Sequence, residues 1–281
     1  MASIDESVDT RNGAPDAFAR AETLEQALRE LAAEHDLGRA SVVEELLAML
    51  GALVTTPNTV FVDPPEYRRD LPGEAIPIGS PASSTHGFFD VVQGRASRRD
   101  FGSAPIELAR LMAVLHWTVG RRKDNVAYDF RDAPLRYVPS GGGLASTDAY
   151  VIANRVDGVE PGSYYFDYVR GLVPISPGLM VQRVADMNPA QGWVADAAAI
   201  VVFVANAERL AHKYGSMGFK LLLLDAGVAV GHAELVATAL ELRTSILGGL
   251  PPDKLARLLR IDGETRVPLV SLVLGMRPTD G

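Results

Sequence analysis

The 281-residue chain contains no cysteine. That excludes disulfides, thiolate zinc sites, iron–sulfur clusters and cysteine nucleophiles together, and it leaves the redox compartment open. An excess of positive charge is also missing: 27 Lys and Arg stand against 35 Asp and Glu, a formal charge of -8. Such a surface repels phosphate backbones, so no nucleic-acid partner is expected, although a local basic pocket for one phosphate remains compatible with it. No clean membrane span is present. The one long apolar stretch, Leu221 to Leu240, carries Asp225, His232 and Glu234, and each mid-membrane carboxylate costs about 3 kcal/mol. A buried helix is expected there. The N-terminus has neither a basic start nor an apolar stretch, so it does not read as a signal peptide, and a cytoplasmic location follows. The chain lacks GxxxxGK[ST], GxSxG and HExxH patterns, and its five histidines have no metal-ligand spacing, so no metal is expected.

What is present organises into three parts. Residues 1–20 are polar and acidic and read as disordered. Residues 21–85 read as a helix pair followed by a connector rich in Pro, Gly and Ser. The helices have capping-box spacings at Thr23 with Gln26 and Ser41 with Glu44, and the connector runs from Thr55 to Thr85. Residues 86–281 alternate helix and strand signals. Helices are expected at Phe88–Gly94, Ile106–Thr118, Gly218–Leu240 and Pro252–Leu259. Strands are expected at Ala149–Val156, Ser163–Val169, Ala199–Ala205 and Pro268–Met276. The class is α+β. The long helix carries Ala226, Gly227 and Gly231, small residues that let another backbone approach closely.

The segment GRASRRDF, residues 94–101, lies between two helix signals. Arg95, Ser97 and Arg99 alternate, so an extended backbone turns all three side chains the same way. Two guanidiniums and a hydroxyl on one side make a phosphate clamp, whereas charge alone favours a solvated basic turn.

The motif R-x-S-x-R-x-F before a helix resembles the opening of the nitroreductase superfamily. The chain is more narrowly similar to the SagB-type azoline dehydrogenases, the flavin subunits of thiazole/oxazole-modified peptide synthetases. The resemblance runs in order from PPEYRRDLP through YVPSGGGLASTDAYVI, EPGSYYFDYVRGLVPI and ERLAHKYGSMGFKLLLLDAG to SILGGLPPDKLARLLRID and PLVSLVLGMRP, spanning residues 64–277. It implies a nitroreductase-like fold, a mixed and mostly antiparallel sheet wrapped by helices, in a homodimer with FMN at the interface. Arg95, Ser97 and Arg99 would hold the FMN phosphate, with Arg277 as a fourth candidate. Pro139, Ser140 and Gly141 match the segment beside the ring and ribityl chain, and Leu247, Gly248 and Gly249 match the loop near flavin N5. Lys213 and Tyr214 match a pair implicated in catalysis. Oxidising an azoline to an azole removes a ring proton as well as a hydride, and a tyrosine, with a reference pKa of about 10, accepts a proton at neutral pH only with help from a neighbouring cation.

The implied activity is therefore FMN-dependent dehydrogenation of peptide thiazolines or oxazolines in ribosomal peptide natural-product biosynthesis. An azoline-containing peptide would be the substrate, and a cyclodehydratase complex a possible setting. Two alternatives stay open: an NAD(P)H-dependent reductase of nitro compounds or quinones on the same fold, and a non-catalytic assembly partner. In the long helix the chain departs from the family, with Val228 and Gly231-His232 standing where family members usually carry His and Gln-Asn.

Overall fold

The computed structural model describes residues 66–126, 134–214 and 218–278. The acidic tail, the helix pair and the first part of the connector expected from the sequence lie outside these residues. The frame is a sheet of six strands: β3 (Thr147–Ala153), β4 (Gly162–Asp167), β5 (Gly171–Pro177), β6 (Ala199–Asn206), β7 (Arg243–Leu247) and β8 (Arg266–Gly275). Their order is β5-β4-β3-β6-β8-β7, and every pairing is antiparallel. Among the described residues, parallel contact is confined to single-residue bridges, Ser97 with Thr244 and Ile106 with Val156. β1 (Arg121–Val126) and β2 (Pro134–Arg136) form a separate two-stranded ribbon.

Central strands β3 and β6 are buried along their whole length, which explains the near-continuous apolar run AIVVFVAN. A strand covered on both faces has no side to leave polar. One face carries the rung Val151, Val201 and Leu272 and packs under helices α2 (Leu108–Val119) and α5 (Gly218–Ala239), through Leu111, Leu115, Ala229 and Ala233. The other carries Ile152, Ile200 and Val273 and packs on α3 (Val181–Ala185) and α6 (Pro252–Leu259), through Val184, Leu255 and Leu259. Helix α5 is long and apolar enough to cross a membrane by length and composition. Here it lies on the sheet with Leu222, Ala226, Ala229, Ala233 and Ala237 buried.

Two polar devices position the elements that matter below. The strap from Glu66 onward runs without helix along the sheet. Arg68 forks onto Asp167, donating from Nε and from Nη2 at 3.0 and 2.7 Å, and Ile76 pairs with Leu172 at 2.9 Å, covering the outer strand β5. Helix α4 (Ala207–Tyr214) is pinned to the start of β3 by Arg209, whose guanidinium donates twice to Asp148 at 2.9 Å. Arg136 donates to the same carboxylate at 3.1 Å. All three residues are buried. One helical turn beyond Arg209 come Lys213 and Tyr214.

Candidate active site

The first group of candidate residues gathers at the β7 edge of the sheet. Helix α1 (Phe88–Gly94) ends at Arg95, whose backbone is already extended. Ser97 then bridges Thr244 in parallel, and the Arg98 N–H donates to the Thr244 carbonyl at 2.6 Å. Gly102 closes on the end of β8, donating to the Met276 carbonyl at 2.8 Å, and this brings the backbone of the exposed Arg277 alongside. Phe101 packs on Gly275, where a Cβ would lie 2.6 Å from the ring; only glycine admits the aromatic there. Arg95, Arg98, Arg99, Arg243 and Arg277 are thus carried on adjacent stretches of backbone at this edge, although the Arg95 and Arg99 side chains do not turn the same way as the alternation in the sequence predicts. The carboxylates among them are Asp100, which pairs with Arg243, and Glu234. The hydrogen bond from Arg243 holds Asp100 below the usual carboxylate range.

Arg95 and Arg99 do not share a partner. Arg95 lies 3.6 Å from Glu234 of α5, on the face of the sheet that α5 covers. Arg99 stacks over Trp193 with its guanidinium carbon 5.5 Å from the ring centre, and Trp193 belongs to the opposite layer. Beyond β7, Leu247 is buried while Gly248 and Gly249 are exposed. Gly249 accepts from Asn188 at 3.0 Å, and nothing lies within 4 Å of a Cβ built on Gly248. A planar group could approach that backbone closely.

The second group gathers where α4 meets α5. Pro139 is exposed and Ser140 half-buried. The Ser140 hydroxyl accepts from the Ala145 N–H at 2.8 Å and closes a turn over Gly141–Gly143. Gly142 has φ +59, a left-handed conformation, and a Cβ there would run into the Tyr214 hydroxyl. The catalytic candidate Tyr214 is thereby placed directly against the glycine turn. Lys213 is exposed, with Nζ 5.3 Å from the centre of the Tyr214 ring. The Gly141 N–H is committed to Asp225 of α5, which it reaches at 2.9 and 3.1 Å, and the Ser146 hydroxyl donates to the same carboxylate at 2.6 Å. Burial raises the Asp225 carboxyl above its ordinary pKa, and these two hydrogen bonds only partly offset the rise.

Asp225 and Glu234 were not among the residues the sequence singles out as a site. Each tethers α5 to one of the two groups. They lie nine residues apart, about 14 Å along the axis and half a turn round it. Their signal in the sequence was present, two carboxylates in an otherwise apolar helix, but it read only as an obstacle to membrane insertion. Val228, the position of the family departure, is 45% exposed on α5, and Gly231 has open space above it. His232 is half-buried, and burial lowers its pKa.

A model of the nitroreductase family matches residues 92–276. A protein of Methanocaldococcus jannaschii that carries the nitroreductase name is 27% identical over 207 residues, covering 73% of this chain and 98% of its own. Among solved structures, a nitroreductase-named protein of Anabaena variabilis superposes with a TM-score of 0.59 at 23% identity, covering 73% of this chain; the chain spans only 41% of that protein's length. One from Ralstonia eutropha gives 0.57 at 22% identity, covering 76% and 97%. The Escherichia coli microcin synthetase McbBCD complex, with truncated pro-MccB17 bound, gives 0.53 at 18% identity, covering 78% and 80%.

Proposed function

Since the chain belongs to the nitroreductase family, we propose that it is an FMN-dependent oxidoreductase that dehydrogenates thiazoline or oxazoline rings of a ribosomal peptide to thiazoles or oxazoles. The observation that carries this reading is the contact of Tyr214, with Lys213 beside it, against the Gly141–Gly143 turn. The reaction needs a proton acceptor beside the cofactor, and this reading puts the cofactor ring at the turn that Tyr214 contacts. A fold neighbour in a microcin synthetase complex with truncated pro-MccB17 bound supports the same direction, and a cyclodehydratase complex is the setting we assign to this chain.

The residues present fit FMN at both ends. At the β7 edge, adjacent backbone carries five arginines and two carboxylates, on a chain of net charge -8, which suits a phosphate dianion. Arg95, Ser97 and Arg99 take the phosphate, with Arg277 adjacent. Pro139, Ser140 and Gly141, and the loop Leu247, Gly248 and Gly249, open at Gly248, take the ring end. Bound FMN supplies the two-electron acceptor that azoline oxidation requires. The ring proton released in the same reaction goes to Lys213 or Tyr214. The exposed stripe Leu223, Leu224 and Val228 on α5, with open space above Gly227 and Gly231, is assigned to a second copy of the chain. The protein is then a cytoplasmic homodimer.

Two measurements test the reading. The purified protein is expected to show flavin absorption and to release about one FMN per chain. With an azoline peptide, Lys213→Ala and Tyr214→Phe are each expected to lower kcat about 10²–10⁴-fold, the usual worth of a positioned acid–base group, with FMN still bound. A second reading, an NAD(P)H-dependent nitro or quinone reductase, is favoured by the name of the M. jannaschii relative. It wins if both variants keep full turnover with NAD(P)H and a quinone while the wild type leaves azoline peptides untouched.

A further inference from the structure

Buried Glu234 has no evident reason to sit at the edge of an anion site. Its side chain is 5% exposed, yet it lies 3.6 Å from Arg95, an arginine of the clamp. Its other oxygen accepts from the Thr244 hydroxyl at 3.4 Å. Thr244 is also the residue that holds the clamp backbone: its carbonyl accepts from the Arg98 N–H at 2.6 Å, and it bridges Ser97. These contacts close a ring. The clamp backbone is fixed to Thr244, Thr244 to Glu234, and Glu234 to the Arg95 guanidinium, which returns to the clamp.

A long arginine side chain loses rotamer freedom when it is immobilised. A partner that holds it beforehand removes that cost from ligand binding. Arg95 keeps 41% of its side chain exposed while paired, so one side of the guanidinium faces Glu234 and the other remains open. We propose that Glu234 and Thr244 are positioning residues of the phosphate clamp. They act through Arg95, and they set the preference of the site for a phosphorylated flavin over one that lacks the phosphate. The inference rests on the assignment of Arg95, Ser97 and Arg99 to the FMN phosphate and adds two residues that no motif contains.

The test is fluorescence titration of the full-length apoprotein with FMN and, separately, with riboflavin. Glu234→Gln and Thr244→Val keep the shape of each side chain while removing the charge or the donor. Each is expected to raise the Kd for FMN about tenfold and leave that for riboflavin within twofold. In an Arg95→Ala background neither change should weaken FMN further, because the residue they act through is gone. Unchanged or tighter FMN binding in Glu234→Gln overturns the inference and makes Glu234 a competitor of the phosphate. Equal losses for FMN and riboflavin also overturn it, since that pattern marks general damage, and a thermal melt of each apo variant identifies damage directly. If the wild type binds neither flavin, the assignment of the clamp itself fails.

Discussion

At the scale of single residues, the most exacting contact in the second group is the one Asp225 makes. It holds the Gly141 N–H and the Ser146 hydroxyl at once, from a helix 84 residues further along the chain. Burial raises its pKa. A carboxyl whose pKa rises on folding stabilises the fold below its unfolded-state pKa, near 3.8–3.9, and that contribution fades as pH rises through the folded value. Once ionised, Asp225 is therefore a cost carried for the geometry of the turn. Asp225→Asn removes the charge and keeps an acceptor oxygen. The melting temperature of the variant, measured against wild type, should accordingly gain as pH is raised from 4 to 7. A difference that stays flat over that range would show that the carboxyl does not titrate on folding. In the same turn Gly142 is held at φ +59 against the Tyr214 hydroxyl, so glycine serves there both for its backbone and for the missing side chain.

At the scale of elements, the decisive fixture is the way α4 is attached. Asp148 of β3 takes hydrogen bonds from Arg209 and Arg136 in a buried setting, two cations to one carboxylate. That ratio makes the two kinds of deletion unequal. Asp148→Asn leaves two buried guanidiniums without a counter-charge, and the expected loss is about 3–5 kcal/mol. Arg209→Met leaves a neutral Asp148–Arg136 pair and a flexible apolar side chain in the old space, so its loss should be smaller, about 1–3 kcal/mol. Urea unfolding of both variants measures the order, and the reverse order would mean that the surplus charge is not felt.

This fixture also shows what could be read in advance. Helix Pro252–Leu259 and the body of β6 carried their period and their punctuation within themselves, and the sequence reading placed them correctly. The proposed phosphate motif of Arg95, Ser97 and Arg99 is also a local pattern. Strand β5, with Pro174 in its middle, carried the wrong local signals. Strand β7 is only five residues long, too short for an alternation to be convincing. Helix α4 is as short as Pro252–Leu259 but opens without a proline. Asp225 and Glu234 each looked like a defect in an apolar helix. Their meaning lies in partners that tertiary folding supplies, and no window of sequence contains both ends of the Gly141–Asp225 contact.

At the scale of the whole molecule, α5 poses a question that its own chain does not answer. Its inner face is buried, but Leu223, Leu224 and Val228 are 41, 52 and 45% exposed, and these lie three and four residues apart on one stripe with Gly227 and Gly231. A helix that is apolar nearly all round belongs inside something, and the space above the two glycines lets a second backbone come close. The same helix tethers the glycine turn through Asp225 and the clamp through Glu234, so whatever seats on its outer face also rests on the frame of the site. Assigning that face to a second copy makes cofactor binding and self-association a single event. Leu224→Glu puts a charge at the centre of the stripe without touching either tether. Light scattering on the wild type should return twice the 30.1 kDa chain mass, and the variant should return the chain mass with weakened FMN binding. A variant that becomes monomeric yet keeps full FMN affinity would separate the two events and place the whole cofactor site within one chain. A wild type that is monomeric to begin with would leave the stripe to a different partner.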